Sequence, residues 1–190
     1  MQTTKEPTSE LIEAFVLAAH GNFARVRELL PQHPALLNAV WARTDEDALA
    51  AAAHTGQRAI AEYLLDAGAP LTICAAAMLG EIDQVTTFIR ADPSLANAKG
   101  AHGIPLLVHA AMSGKTELAD LLVAHGGGEG VDGALHGAVA FGHTAMTEWL
   151  LARGADANLP NFEGKTPLRI ATERGHDEVA GLLRRHGGTA

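Results

Sequence analysis

Gly164-Lys165-Thr166-Pro167-Leu168-Arg169-Ile170-Ala171-Thr172-Glu173-Arg174-Gly175-His176 decides the architecture, because a helical stretch closed by a glycine recurs along the whole chain. Gly175 is the last of six such glycines, after Gly21, Gly56, Gly80, Gly114 and Gly142, at intervals of 35, 24, 34, 28 and 33 residues. Each follows an alanine-rich stretch and precedes a second, amphipathic one that ends in a Leu-Leu-like pair. A period near about 33 residues with two helices per unit predicts a stacked helical repeat, in which no unit buries its apolar stripe without its neighbours. Any functional surface is then shared among repeats.

Residues 164–176 resemble the ankyrin repeat signature G-x-T-P-L-H-x-A-x-x-x-G-H, with Arg169 in place of the histidine. A second copy runs Ala134-Leu135-His136-Gly137-Ala138-Val139-Ala140-Phe141-Gly142-His143 and continues as Trp149-Leu150-Leu151-Ala152-Arg153-Gly154-Ala155-Asp156-Ala157-Asn158. Gly68-Ala69 closes the second unit in the same way, and the resemblance extends from about Ser9 to Gly187. It implies an all-α solenoid of about six helix-turn-helix units, one domain over residues 9–188 with short tails at 1–8 and 189–190. It also implies a concave face and fingers that bind a protein partner.

Composition narrows the function classes. A chain of 190 residues with a formal charge of -8 has the wrong sign for gripping a phosphate backbone, so no nucleic acid is expected as partner. The longest early apolar stretch, Leu11 to Ala19, contains Glu13, and no run of about 18 apolar residues exists to span a membrane. The single Cys74 cannot form an intramolecular disulfide, and Met1-Gln2-Thr3-Thr4-Lys5 lacks a signal peptide's apolar run; a cytoplasmic protein is expected. The glycine-rich run at Gly126–Gly130 has neither a preceding strand nor the Lys-Ser/Thr pair of a phosphate loop, so it reads as a linker and no cofactor is expected. With neither C-x-x-C nor H-E-x-x-H, spacing gives no metal site.

Two intervals, 24 and 28 residues, are too short for a full unit with its finger. Fingers are therefore expected at only three junctions, roughly Asn38 to Asp47, Asn97 to Ile104 and Asn158 to Thr166. Helices that pack about 8–10 Å apart would leave fingers on alternate junctions about 16–20 Å apart, which makes the concave face a set of slots.

In the ankyrin resemblance the two residues before each hairpin glycine face the concave side. Those pairs are Ala19-His20, His54-Thr55, Met78-Leu79, Met112-Ser113, Ala140-Phe141 and Glu173-Arg174, and helical spacing adds His109 to the strip. Met78, Leu79, His109, Met112 and Phe141 are the expected apolar floor, with burial between helices as the alternative. Trp41, beside Asp45-Glu46-Asp47, marks the first finger as a contact element, with Trp41 and Asp45 as binding residues. Trp149, Tyr63 and Phe88 read as core.

Of ten histidines, His136, His143 and His176 occupy positions that the family resemblance makes structural, and His125, His186 and His33 sit at helix ends or in a turn. His20, His54, His102 and His109 are left over. His20 and His54 on neighbouring inner helices are candidate acid–base catalysts, with a finger acid to orient one ring. Two functions follow: a module that binds a protein partner, or an enzyme that works on an apolar small molecule by proton transfer without a cofactor, as in dehydration, conjugate addition or cyclisation.

Overall fold

The computed structural model describes residues 6–190, so the first five residues of the expected tail lie outside it. Among the described residues there are twelve α-helices in six antiparallel pairs. The pairs are α1 (Ser9–Ala19) with α2 (Phe23–Gln32), α3 (Ala48–His54) with α4 (Arg58–Asp66), and α5 (Ile73–Leu79) with α6 (Ile82–Ala91). They continue as α7 (Leu106–Ser113) with α8 (Thr116–Ala124), α9 (Val131–Ala140) with α10 (Thr144–Leu151), and α11 (Pro167–Glu173) with α12 (Asp177–Arg185). The all-α solenoid of six units stands as read.

Short polar side chains start four of the six inner helices. Thr8, Asp47, Thr72 and Thr166 each accept a hydrogen bond from a backbone N–H of the first turn, which satisfies a donor that the helix cannot. Inner helices then stack on inner helices, in the order α1, α3, α5, α7, α9, α11. Their alanines make this possible: Ala51, Ala52, Ala75, Ala76, Ala110, Ala111, Ala134 and Ala138 are all fully buried.

Three fingers are present. The first closes by a Trp41–Glu46 bridge and the second by a Lys99–Pro105 bridge. In the third, the Asn161 N–H donates to the Lys165 carbonyl at 2.9 Å. Thr189 is held against this last finger, donating its N–H to the Asn158 side chain at 2.8 Å.

Finger spacing departs from expectation. The small residues of α5 let α3 and α7 touch directly, so the second finger swings over α3 and its tip meets the first instead of standing a helix-width away. All seven residues of α5 are buried; Met78 and Leu79 pack into the core of the first units, with Met112 against it, and neither forms part of an exposed strip. His109 is likewise fully buried: Gly100 of the second finger lies so close that a Cβ there would stand 2.9 Å from the imidazole.

Trp149 also differs from its reading as core. It is half-buried on the outer row, where its Nε1–H donates to Asp120 at 2.8 Å and the Arg153 guanidinium covers its ring at 3.5 Å. Leu150 and Met146, both fully buried, anchor that unit.

Candidate functional site

The first two units and the first two fingers place four side chains around one point. His20 directly follows α1, and its Nδ1–H donates to the Val16 carbonyl at 2.9 Å, which turns Nε2 away from its own helix. His54 is the last residue of α3. Glu46 immediately precedes the N-cap of α3 and is fixed from the other side by the finger, whose Trp41 N–H donates to the Glu46 carbonyl at 2.8 Å. His102 is at the tip of the second finger with φ at +56°, a left-handed conformation that is uncommon outside glycine.

Glu46 lies at the centre and is 1% exposed. His54 Nε2 is 2.8 Å from its Oε1, while His20 Nε2 and His102 Nε2 are 3.6 Å and 3.5 Å from its Oε2. His20 and His54 bring their own Nε2 atoms to 3.2 Å, so they touch, where the sequence placed them on either side of a small molecule. The cluster reaches solvent mainly through His20 and His102, whose side chains are 29% and 44% exposed, against 12% for His54.

Electrostatics follow from burial. Burial first, and then the neighbouring His20, His102 and His109, lower the His54 pKa to about 4, so His54 is neutral at physiological pH. Burial raises the Glu46 carboxyl above the usual range, opposed by His20 and His102. His109, behind the ring, is also pushed down by burial; its Nδ1–H donates to the Pro105 carbonyl at 3.2 Å.

Beside the ring lies a slot of about 510 Å³ between the two fingers. Its walls are finger residues, among them Thr44, Asp45, Lys99 and His102, and its floor is α3 and α5 through Ala50, Ile73 and Cys74. Burial pushes the Cys74 thiol up to about 11, which keeps it protonated and inert.

The sequence-derived site divides accordingly. His20, His54 and His102 come together, and Asp45 lines the adjoining slot. Trp41 is half-buried against the core of the first units. Met112 is partly buried where the two halves of the core meet. Phe141 is 38% exposed, yet its ring packs against Gly56 across the concave side. Met78, Leu79 and His109 belong to the interior. Sequence spacing gives no metal site because the ring takes one residue from each of four separate segments, yet these four groups have ligand atoms mutually within 4.8 Å. Glu46 appears in the sequence only as one acid of a triplet. The signal that separates it is its position just before the capping Asp47, on the finger side that turns inward.

The ankyrin repeat family model matches this chain in three copies over residues 71–161 and 129–189. An ankyrin repeat-containing protein of Treponema pallidum (strain Nichols) is 34% identical over 133 residues, covering 65% of this chain and 44% of that one. Cyclin-dependent kinase 4 inhibitor B of Homo sapiens is 31% identical over 120 residues, 59% of this chain and 84% of its own. The potassium channel AKT1 of Arabidopsis thaliana is 36% identical over 81 residues, 40% of this chain and 9% of the channel. The match therefore spans less than half of the Treponema protein and under a tenth of the channel. His20, Glu46 and His54 all precede the residues that the family model matches.

Proposed function

The chain belongs to the ankyrin repeat family, and from that premise we propose that it is a binding module whose recognition element is its first two fingers, not its whole inner face. Ankyrin repeats generally mediate protein–protein binding, and one relative is by name an inhibitor of a kinase. The observation that carries the narrower reading is the slot of about 510 Å³ between the converged fingers, next to a buried carboxylate. Contact between Phe141 and Gly56 narrows the concave side elsewhere, so a partner that presents a loop or side chain fits better than one that lies flat along the groove. Among the described residues no helix is long and apolar enough to cross a membrane. The charge of -8 favours a partner of basic surface over nucleic acid, and the lone, unpaired Cys74 suits a cytoplasmic setting.

Site-specific photo-crosslinking tests this reading. A crosslinking residue at exposed Ala42 or Lys99 of the fingers should capture one discrete partner in cell extract, and the same residue at Asp66 on the outer row should not. Equal capture from all three positions would overturn the assignment of the fingers.

A second reading has an observation of its own. An inward-facing Glu46 with three histidines is not needed to stack helices, and its open side adjoins a cavity of small-molecule size. In an enzyme of this kind the exposed edges of His20 and His102 would meet the substrate, with Glu46 and His54 behind them. Turnover of an apolar substrate that disappears in His20→Phe, with the fold intact, would support it; full activity in both His20→Phe and His54→Phe would end it.

A further inference from the structure

We propose that His20, His54, His102 and Glu46 form a binding site for one divalent transition-metal ion. The proposal goes beyond both readings above, since it concerns what the ring itself holds and not what enters the slot.

The first argument is the direction of the nitrogen atoms. The Val16 carbonyl takes the Nδ1 proton of His20, which turns the Nε2 lone pair toward the other three groups, where His54 Nε2–H donates to it at 3.2 Å while no ion is bound. A hydrogen bond from the other ring nitrogen to a backbone carbonyl is what orients a metal-binding imidazole. His54 and His102 also present Nε2.

The second argument is the unmet carboxylate. Both Glu46 oxygens are buried and neither accepts a hydrogen bond, although imidazole nitrogens stand 2.8, 3.5 and 3.6 Å away. The N–H directions do not point along these approaches. Within the ring the one aligned pair is His54 Nε2–H donating to His20 Nε2 at 3.2 Å, which leaves the carboxylate out; a ring that only paired with itself would spend that donor on the carboxylate, because a buried carboxylate without partners is costly. Groups that share a cation leave this arrangement when the cation is taken away.

Distances provide the third argument. A tetrahedral ion with bonds of about 2.0–2.1 Å holds its ligand atoms about 3.3 Å apart. The separations here are 3.2 Å between the His20 and His54 nitrogens, 2.8 Å from His54 to one carboxylate oxygen and 3.5 and 3.6 Å from His102 and His20 to the other, with one ligand atom from each residue lying within 4.8 Å of all the rest, so a shift of about 1 Å closes the ring on an ion. Three imidazoles and one carboxylate suit zinc and its first-row neighbours, not calcium or magnesium.

Backbone conformation adds a fourth. His102 and Asp45 are the two non-glycine residues with positive φ among those described, and they stand on the two fingertips that meet at the ring. Conformations of this cost persist where the surroundings hold them, and they gather at functional sites. The turn at His102 delivers its imidazole to a carboxylate on the other finger.

The test uses untagged protein stripped with EDTA and dialysed. Titration with Co²⁺, followed through its visible bands, and with Zn²⁺, followed by calorimetry, should saturate at one ion per chain with the intense spectrum of a four-coordinate nitrogen and oxygen site. Glu46→Gln, His54→Ala and His102→Ala should each weaken binding by at least about 100-fold, since each removes a direct ligand where loss of an outer partner alone costs about 10–100-fold. His125→Ala, exposed on the outer row, should bind as the wild type does. Circular dichroism checks each fold, and His102→Ala, in an exposed fingertip, keeps the comparison valid if the inner variants unfold. Absence of saturable binding by the wild type, or unchanged affinity in folded His102→Ala and Glu46→Gln, would overturn the site. Neither titration involves a partner, so a failure here leaves the crosslinking result to stand or fall separately.

Discussion

Phe141 of the fifth unit rests its ring against Gly56 of the second, across the concave side of the solenoid. Gly56 has φ at +70°, and an added Cβ would overlap the tip of that ring. Two costs therefore coincide at one residue, left-handed strain and steric overlap. Gly56→Ala should destabilise by about 2 kcal/mol or more, of which about 1–2 kcal/mol is backbone strain. In a double-mutant cycle Phe141→Ala should relieve the overlap and leave only the strain. Urea melts of the four proteins check this; strict additivity would mean that the two residues do not touch in solution.

On the outer row, Leu150 and Trp149 should behave in opposite ways to their sizes. Leu150→Ala empties a fully buried position and should cost about 2–5 kcal/mol. Trp149→Ala removes a half-exposed ring, one hydrogen bond and one cation–π contact, and should cost only about 1–2 kcal/mol. Chemical denaturation that ranked Trp149→Ala as the more damaging change would restore it to the core.

Stability of the metal-free protein should fall on acidification from pH 7. His54 and His109 have folded pKa values below the ordinary 6.5, so both states are neutral above that pH and stability there is complete. Below about 6.5 the unfolded chain takes up protons that the folded protein refuses, and stability is lost down to the folded pKa, about 4 for His54. Glu46, facing His54 together with His20 and His102, titrates in the opposite sense: its raised pKa returns part of the loss just above 4.5. Between pH 7 and pH 5 His54 should cost up to about 2 kcal/mol, His109 adding to that loss and Glu46 offsetting part of it, and His109→Phe should reduce the loss. A flat profile in urea melts at the two pH values would contradict these burial effects.

The six hairpin glycines and the two short intervals made the units and the three fingers readable, because each is a local property of spacing. His20, His54 and His102 were reachable by elimination, once the other histidines had helix-end or repeat positions to explain them. Met78, Leu79 and His109 were not. The burial of His109 depends on how closely the second finger approaches at Gly100, and that of Met78 and Leu79 on how α5 packs into the core of the first units; neither is a property of local spacing. Convergence on Glu46 was hidden for the same reason: four segments meet only after the solenoid has curved.

Glu46 offers a separation of stability from function. In metal-free protein its carboxylate is buried without hydrogen-bond partners, so Glu46→Gln should be neutral or slightly stabilising. With Zn²⁺ in excess the ranking should invert, the wild type gaining about 2.7 kcal/mol at 100 times its dissociation constant and the variant little. Thermal melts with and without Zn²⁺ read both halves; a variant that gains as much as the wild type would show that the ion binds elsewhere.

The most direct measurement is the anomalous difference map of a crystal grown with Zn²⁺ and recorded at the zinc edge. A single strong peak should lie among His20 Nε2, His54 Nε2, His102 Nε2 and a Glu46 oxygen, at about 2.0–2.2 Å from each. A peak elsewhere on the surface, or none in the ring at saturating Zn²⁺, would contradict the claim that these four side chains form a metal centre between the first two fingers.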